Sequence, residues 1–380
     1  MINSHSRALR AVFLIVTLHS VGCLGYGLRH KRPDAPARNL QLRFPMTEIG
    51  VRNNATVLLL PQPGADLVSL RLRYQVGAID DPVGQEGLAH LAEHLMFEMR
   101  VGVDTLGDQL KRATVYTNAV TTLDTTDYIT KFEPDKLREV LHLEALRLAL
   151  RCNTLADQDF ERERAVVVAE VKQHELVAGD LYQSLSNAMF PANHEYRRRV
   201  VGTPATVAAI TKDQACQFIN QHYAPNNAVL AIAGPVTNDA VVAALAEFSR
   251  LPPRNVVAHV ETAHIDGASR NLTLYTNVEQ PGVVLAWPLP HELQTRTQAL
   301  AVGRLVVQRI NSALNDLPGS GAFATEIGGA QNDYYIIWID GNGATVGKIV
   351  DLARKAVKNV KGFYGDYGFE HASASEVTQM

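Results

Sequence analysis

Cysteine is scarce in this sequence, neither sign of charge is in excess, and the one apolar leader-like run is too short to cross a membrane. Three cysteines, Cys23, Cys152 and Cys216, occur in 380 residues, with no Cys-x-x-Cys pair. That spacing argues against a cysteine-based zinc site and against a disulfide framework. Cys152 and Cys216 read as buried free thiols that could pair in an oxidising compartment. With 36 basic and 39 acidic side chains the formal net charge is −3. A nucleic-acid binder would carry a basic excess, so no nucleic-acid partner is expected, whereas peptide and small-molecule substrates stay open. The apolar stretch Ala11–Leu18 has eight residues, well short of the roughly 20 that a membrane helix needs.

What is present is ordinary globular material, 46% apolar and 20% charged, in a chain long enough for two domains. Arg7 and Arg10 ahead of Ala11–Leu18 make residues 1–23 a signal segment. Gly22-Cys23 is of lipoprotein type, although Ser20 stands where a leucine is usual. Export is therefore expected, to the periplasm or an outer-membrane anchor in a bacterium, with the membrane reached only through a lipid at Cys23. Residues 24–44, rich in Pro and Arg, read as a linker.

From residue 45 onward, strand and helix patterns alternate. Strands are expected at Thr56–Leu60 and Leu67–Val76, a helix from Leu88, and a hairpin over Tyr116–Phe132. Helices follow at Asp135–Cys152, Ala156–Leu176, Thr211–Tyr223 and Thr237–Ser249, with a strand at Asn227–Gly234. After residue 250 the order strand, turn, strand, helix recurs: Leu272–Thr276, Val283–Trp287, Thr295–Leu314, then Tyr334–Ile339 and Thr345–Val360. This is a loose duplication of one α+β unit, 45–250 and 251–380, the second lacking a His-rich helix and stopping early.

Chemistry concentrates in Gly87-Leu-Ala-His-Leu-Ala-Glu-His-Leu-Met-Phe97. On a helix, His90 and His94 lie four apart on one face, and Glu93 borders it. Two imidazoles so spaced can hold one Zn²⁺, and a neighbouring carboxylate can take a proton from water attacking a carbonyl. A third ligand is needed. The helix from Ala156 offers Glu161, Glu163 and Glu170; Glu163 and Glu170 share a face, and Glu170 sits in an apolar stretch where an unpaired carboxylate is unfavourable.

His-x-x-Glu-His is the inverted zinc signature. The region resembles the pitrilysin or insulinase family of zinc peptidases (M16), which includes the mitochondrial processing peptidases. In that family a glutamate about 76 residues after the second histidine is the third ligand, and His94 plus 76 is Glu170. Glu163, Thr117-Asn-Ala-Val-Thr121, Asp124-Thr-Thr-Asp-Tyr128, His194-Glu-Tyr196 with Gly202 and Thr203, and Tyr223-Ala-Pro-Asn226 match further landmarks. The likeness covers roughly Leu58 to Pro235 and weakly the rest.

The resemblance implies two homologous α/β sandwich-type domains (LuxS/MPP-like metallohydrolase fold) and a metalloendopeptidase. It implies one Zn²⁺ per chain on His90, His94 and Glu170, and Glu93 as the base. Glu163 would orient a ligand, and Asn118 and Ala119 would hold a peptide or unfolded protein as an added strand. Where the family's second domain supplies an Arg and a Tyr seven apart, Asp316 and Phe323 stand here. The missing hydroxyl removes a donor for an oxyanion. Two expectations follow: a zinc-bearing subunit of a pair, its partner a second M16-like chain or a second copy, or a catalytically weak zinc- and peptide-binding scaffold.

Overall fold

A computed structural model describes residues 45–150, 152–177, 181–258, 271–272, 282–290, 293–315, 320–329, 333–340, 347–355 and 375–378. The expected signal segment with Cys23, the linker, Asp316 and most of the expected strand Leu272–Thr276 lie outside these residues.

The first part of the chain runs β1 (Thr47–Ile49), β2 (Thr56–Pro61), β3 (Val68–Tyr74), α1 (Leu88–Leu95), β4 (Arg100–Val101), β5 (Asp104–Thr105), α2 (Leu106–Ala113), β6 (Tyr116–Thr121), β7 (Thr126–Phe132), α3 (Leu137–Ala149), α4 (Asp157–Val177), α5 (Leu181–Met189), α6 (Pro204–Ala209), α7 (Lys212–His222), β8 (Ala228–Gly234) and α8 (Asn238–Ala244). The second part runs β9 (Asn271–Leu272), β10 (Gly282–Pro288), α9 (Leu293–Leu314), β11 (Gly321–Gly328), β12 (Asp333–Asp340), a helix α10 over 347–355, and β13 (Ser375–Thr378).

Six strands form one sheet in the order β1-β2-β8-β3-β7-β6. The β2–β8 pair is parallel and the others antiparallel. The period-2 alternation of β3 explains its placement: Val68, Leu70, Leu72 and Tyr74 are buried, while Ser69 and Arg71 are exposed. Helix α1 packs against β6, β7, α4 and α7. Its Leu88, Leu91 and Leu95 are almost wholly buried, each contributing about 2 kcal/mol relative to exposure.

The second sheet has the order β11-β12-β10-β13-β9. Strand β10 is apolar throughout because it is covered on both sides. Val283, Leu285 and Trp287 join the cluster around α9, while Val284 and Ala286 join Ile79, Leu185, Met189 and Phe190 of the first part. An apolar seam thus joins the two parts, reinforced by the Tyr334 hydroxyl donating to the Met189 carbonyl at 3.3 Å.

Three sequence expectations change. The helix over Thr237–Ser249 is shorter, Asn238–Ala244 followed by a separate turn at Phe248–Arg250. Gly321–Gly328, to which the sequence assigned no element, is strand β11; its outer residues Phe323, Thr325 and Glu326 are exposed, so no clean apolar alternation marks it. Cys152 and Cys216 form a disulfide rather than free thiols. The short 3₁₀ turn Cys152–Thr154 packs on α7, bringing their Cα atoms to 5.4 Å across 64 residues of sequence.

One buried charge pair supports α1. Arg147 and Glu144 on α3 are both fully buried, with Arg147 Nε donating to Glu144 Oε2 at 2.8 Å. Its guanidinium also lies 4.0 Å from the Tyr128 ring centre and donates to the Met96 carbonyl at the end of α1. Removing one partner strands the other charge in the core. Arg147→Met should therefore lower the unfolding free energy by about 3–5 kcal/mol in denaturant titration, and adding Glu144→Leu should restore most of it.

Candidate metal centre

The position of the His-rich helix follows from close backbone packing at its start. Gly87 has φ +94, and a Cβ there would meet the Val201 carbonyl at 2.8 Å. Gly202, at φ +67, lies against the Glu86 carbonyl. Glycine is required at both points, and the contact fixes where α1 enters the core. Asp81, which no sequence motif singled out, places both carboxylate oxygens on backbone N–H groups of this first turn.

His90 and Glu93 are buried and His94 partly so. The imidazoles stand edge to face with ring centres 5.0 Å apart. One ligand atom from each of His90, Glu93 and His94 lies within 4.8 Å of the other two.

Helix α4 packs across α1 and adds both candidate glutamates, seven residues and about two turns apart on one face. Glu163 Oε2 is 3.3 Å from His94 Nδ1. Glu170 Oε2 is 3.6 Å from His94 Nε2 and 4.0 Å from His90 Nε2. Glu163 therefore engages one ring nitrogen of His94 and leaves the other facing Glu170. Glu163 also accepts from Arg162 Nε through Oε1 at 3.2 Å.

The argument that Glu170 sits in an apolar environment needs correction. Val167 and Val171 are buried, but Val166 is exposed and the Glu170 side chain is 36% exposed. The helix turns its apolar run so that Glu170 reaches the open side of the cluster. Burial therefore does not compel a metal; the convergence of donor atoms suits one.

Glu93 has a different neighbour. The hydroxyl of Thr121 on β6, the last residue of the landmark Thr117–Thr121, donates to Glu93 Oε2 at 2.5 Å, a contact that the sequence did not suggest. The Tyr128 hydroxyl donates to the Glu93 carbonyl at 3.4 Å. Two carboxylates approach the histidines, Glu93 and Glu170. The Glu170 oxygen faces both Nε2 atoms, whereas Glu93 is held from the strand side.

Burial pushes the Glu93 carboxyl up, against the Thr121 hydrogen bond and the His94 charge, with Glu170 adding to the rise. Burial alone would lower His94, but the Glu163 hydrogen bond and the Glu93 and Glu170 charges outweigh it, and the net shift is upward. The His94 contact, helped by Arg162, holds Glu163 down despite its burial. Burial pushes Asp81 up to about 8, against its two backbone donors and Arg198.

The Glu170 oxygen, 3.6 Å from the His94 nitrogen and 4.0 Å from the His90 nitrogen, offers with them the nitrogen and oxygen donors that zinc takes. Asn118 and Ala119 lie on β6, whose ladder partner among the described residues is β7 alone. Asn118 is exposed, donates to the Tyr116 hydroxyl at 3.1 Å and accepts from the Ala119 N–H at 2.9 Å. Ala119 is buried on the Thr121 face of the strand. Phe323 is 57% exposed and stacks on Trp338 at 6.4 Å. A separate cleft of about 450 Å³ opens among Glu86, His194, Arg198 and Thr203, and its lining includes none of the candidate ligands.

Fold and donor set together define an M16-type peptidase architecture. The sequence model of the insulinase family (Peptidase family M16) matches residues 56–202, and that of the M16 inactive domain matches residues 209–316. The chain belongs to this family. It is 24% identical over 263 residues to an uncharacterized zinc protease of Rickettsia felis, covering 66% of this chain and 62% of that one. It is 26% identical over 229 residues to the mitochondrial-processing peptidase subunit beta of Bos taurus, covering 59% and 46%. The chain thus spans less than two thirds of these relatives. Among solved structures, a protease from Helicobacter pylori superposes with a TM-score of 0.70 at 19% identity, covering 85% of this chain and 81% of that one. That likeness shows the α+β fold; the M16 N- and C-terminal domains rest on the two family models.

The shifts set a pH dependence. Asp81, Glu93 and His94 all bind protons more tightly folded than unfolded, so their contribution is full below the unfolded-state values and is lost as pH rises through the raised ones. Glu163 acts oppositely, losing its contribution only as pH falls below the ordinary carboxylate range. Differential scanning calorimetry of metal-free protein should therefore give a falling midpoint between about pH 5 and about pH 8. The increment added by zinc should grow over the same range, because zinc needs neutral imidazoles. A metal-free midpoint that rises across this range would contradict the assignment.

Proposed function

We propose that this chain is a zinc-dependent endopeptidase acting on peptides or unfolded polypeptide segments. The observation that carries the reading is the approach of Glu170 Oε2 to the Nε2 atoms of both His90 and His94. His90, His94 and Glu170 would hold one Zn²⁺. Bound there, zinc supplies Lewis acidity toward a carbonyl and acidifies water. Glu93, beside these donors and steadied by Thr121, accepts the proton of the attacking water and passes it to the leaving amine. Its raised proton affinity suits that exchange. Glu163 keeps the His94 ring oriented through Nδ1. The edge of β6 at Asn118 and Ala119, which has no strand partner among the described residues, receives the substrate backbone as an added strand.

We assign residues 45–250 to the zinc-binding domain and 251–380 to the second M16-like domain, after a signal segment (1–23) and a linker (24–44). The Cys152–Cys216 disulfide supports an exported, oxidising location. Phe323, with no hydroxyl to offer an oxyanion, favours action with a second M16-like chain or a second copy. The bovine relative, named as a subunit, is in keeping with this. A zinc- and peptide-binding scaffold is the alternative, and the same residue favours it.

Glu93→Gln separates these readings. In an unfolded-peptide hydrolysis assay it should retain zinc and lose at least about a hundredfold in kcat; chelation should abolish wild-type turnover. Zinc-loaded wild type that cleaves nothing in a peptide library, alone or with a partner chain, would favour the scaffold.

A further inference from the structure

Gly87 is the residue before the first turn of α1, and its lack of a side chain leaves that turn without a cap of its own. No other residue fits there, because the backbone at Val201 occupies the space of a Cβ. The first N–H groups of a helix need acceptors. Leu88 N–H finds the Gln85 carbonyl at 3.1 Å. Asp81, six residues before Gly87, supplies two more: Oδ2 accepts from Gly87 N–H at 2.8 Å and Oδ1 from Ala89 N–H at 2.7 Å.

Asp81 is 3% exposed, and its own backbone is held. Its carbonyl accepts from Arg198 Nη1, and its N–H donates to the Ala78 carbonyl at 3.2 Å. Thr206 Oγ1 secures the adjoining Glu86 carbonyl at 2.8 Å. The carboxylate is therefore a fixed support rather than a swinging surface group. His90 directly follows Ala89, so the peptide plane gripped by Oδ1 is within one residue of the imidazole facing Glu170.

We infer that Asp81 is a positioning residue for metal binding: from outside the helix it caps the first turn of α1 and sets the height and rotation at which His90 meets Glu170. The inference rests on the proposed zinc site but not on peptide cleavage. A side-chain cap at residue 87 is sterically barred, so the acceptor must come from elsewhere in the chain. The loop between the end of β3 and α1, closed by the short 3₁₀ turn Ala78–Asp80, delivers it.

Zinc affinity of the full chain, read by competition with a chromophoric chelator, tests the inference alongside thermal unfolding of the metal-free protein and peptidase kcat and KM. Asp81→Ala should bind zinc at least about tenfold more weakly. Asp81→Asn keeps one acceptor, which can serve Ala89, and should recover part of the loss. Thr105→Ala, which removes the cap of α2, should lower the unfolding midpoint and leave zinc affinity unchanged.

Unchanged zinc affinity in Asp81→Ala, whatever its midpoint, would overturn the inference and leave a purely structural cap. Wild type that binds no zinc would overturn it together with the metal site. Zinc-binding wild type without hydrolysis would defeat the peptidase reading alone, because the affinity comparison between Asp81→Ala and wild type still decides this one.

Discussion

The packing of α4 across α1 is the constraint on which the rest of the site depends. Alone, α1 offers two imidazoles and a carboxylate in a mostly apolar helix, a costly arrangement in a core. The crossing brings Glu163 to one nitrogen of His94 and Glu170 to the other. Each helix thereby answers the charges of the other. The sheet beneath supplies the remaining fixed points: Thr121 on β6 for the Glu93 carboxylate and Tyr128 on β7 for its backbone.

Three supports hold that crossing. The Arg147–Glu144 pair fixes the end of α1 through Met96. The disulfide ties the turn before α4 to α7, which itself packs on α1. The glycine contacts at Gly87 and Gly202 set the start of α1. All three act on backbone or on side chains distant from the donor atoms, so the donors need few direct restraints of their own. The second sheet packs outside these three supports. It meets the first part through apolar residues such as Ile79, Phe190 and Ile336.

The sequence made the candidate ligands legible: helical periodicity converts spacing into geometry, and the family resemblance then singled out Glu170. His90 and His94 had to share a face if the segment was helical, and Glu163 and Glu170 likewise. The elements with clear periods, β3, α1, α3, α4, α7, β8 and β10, fell where expected to within a few residues. The partners that come from the fold were not legible. Asp81 carries no motif, and Thr121 ends a family landmark that gave it no role; only pairing of β6 with β7 or the closure of the loop before α1 brings them to the helix. Strand β11 was missed because a strand with one poorly covered face has little apolar alternation. The disulfide stood only as the lesser reading beside free thiols, because two cysteines 64 residues apart are brought together only when α7 packs on the turn at Cys152.

The central claim is that α1 and α4 jointly hold one metal, with Glu170 as ligand and Glu93 beside it as base. Anomalous diffraction at the zinc edge from crystals of the wild-type protein tests it most directly. The account predicts a single ion about 2.0–2.2 Å from His90 Nε2, His94 Nε2 and an oxygen of Glu170, with Glu93 still bonded to Thr121. An ion bound through Glu93 in place of Glu170, or no ion at these histidines in excess zinc, would contradict it.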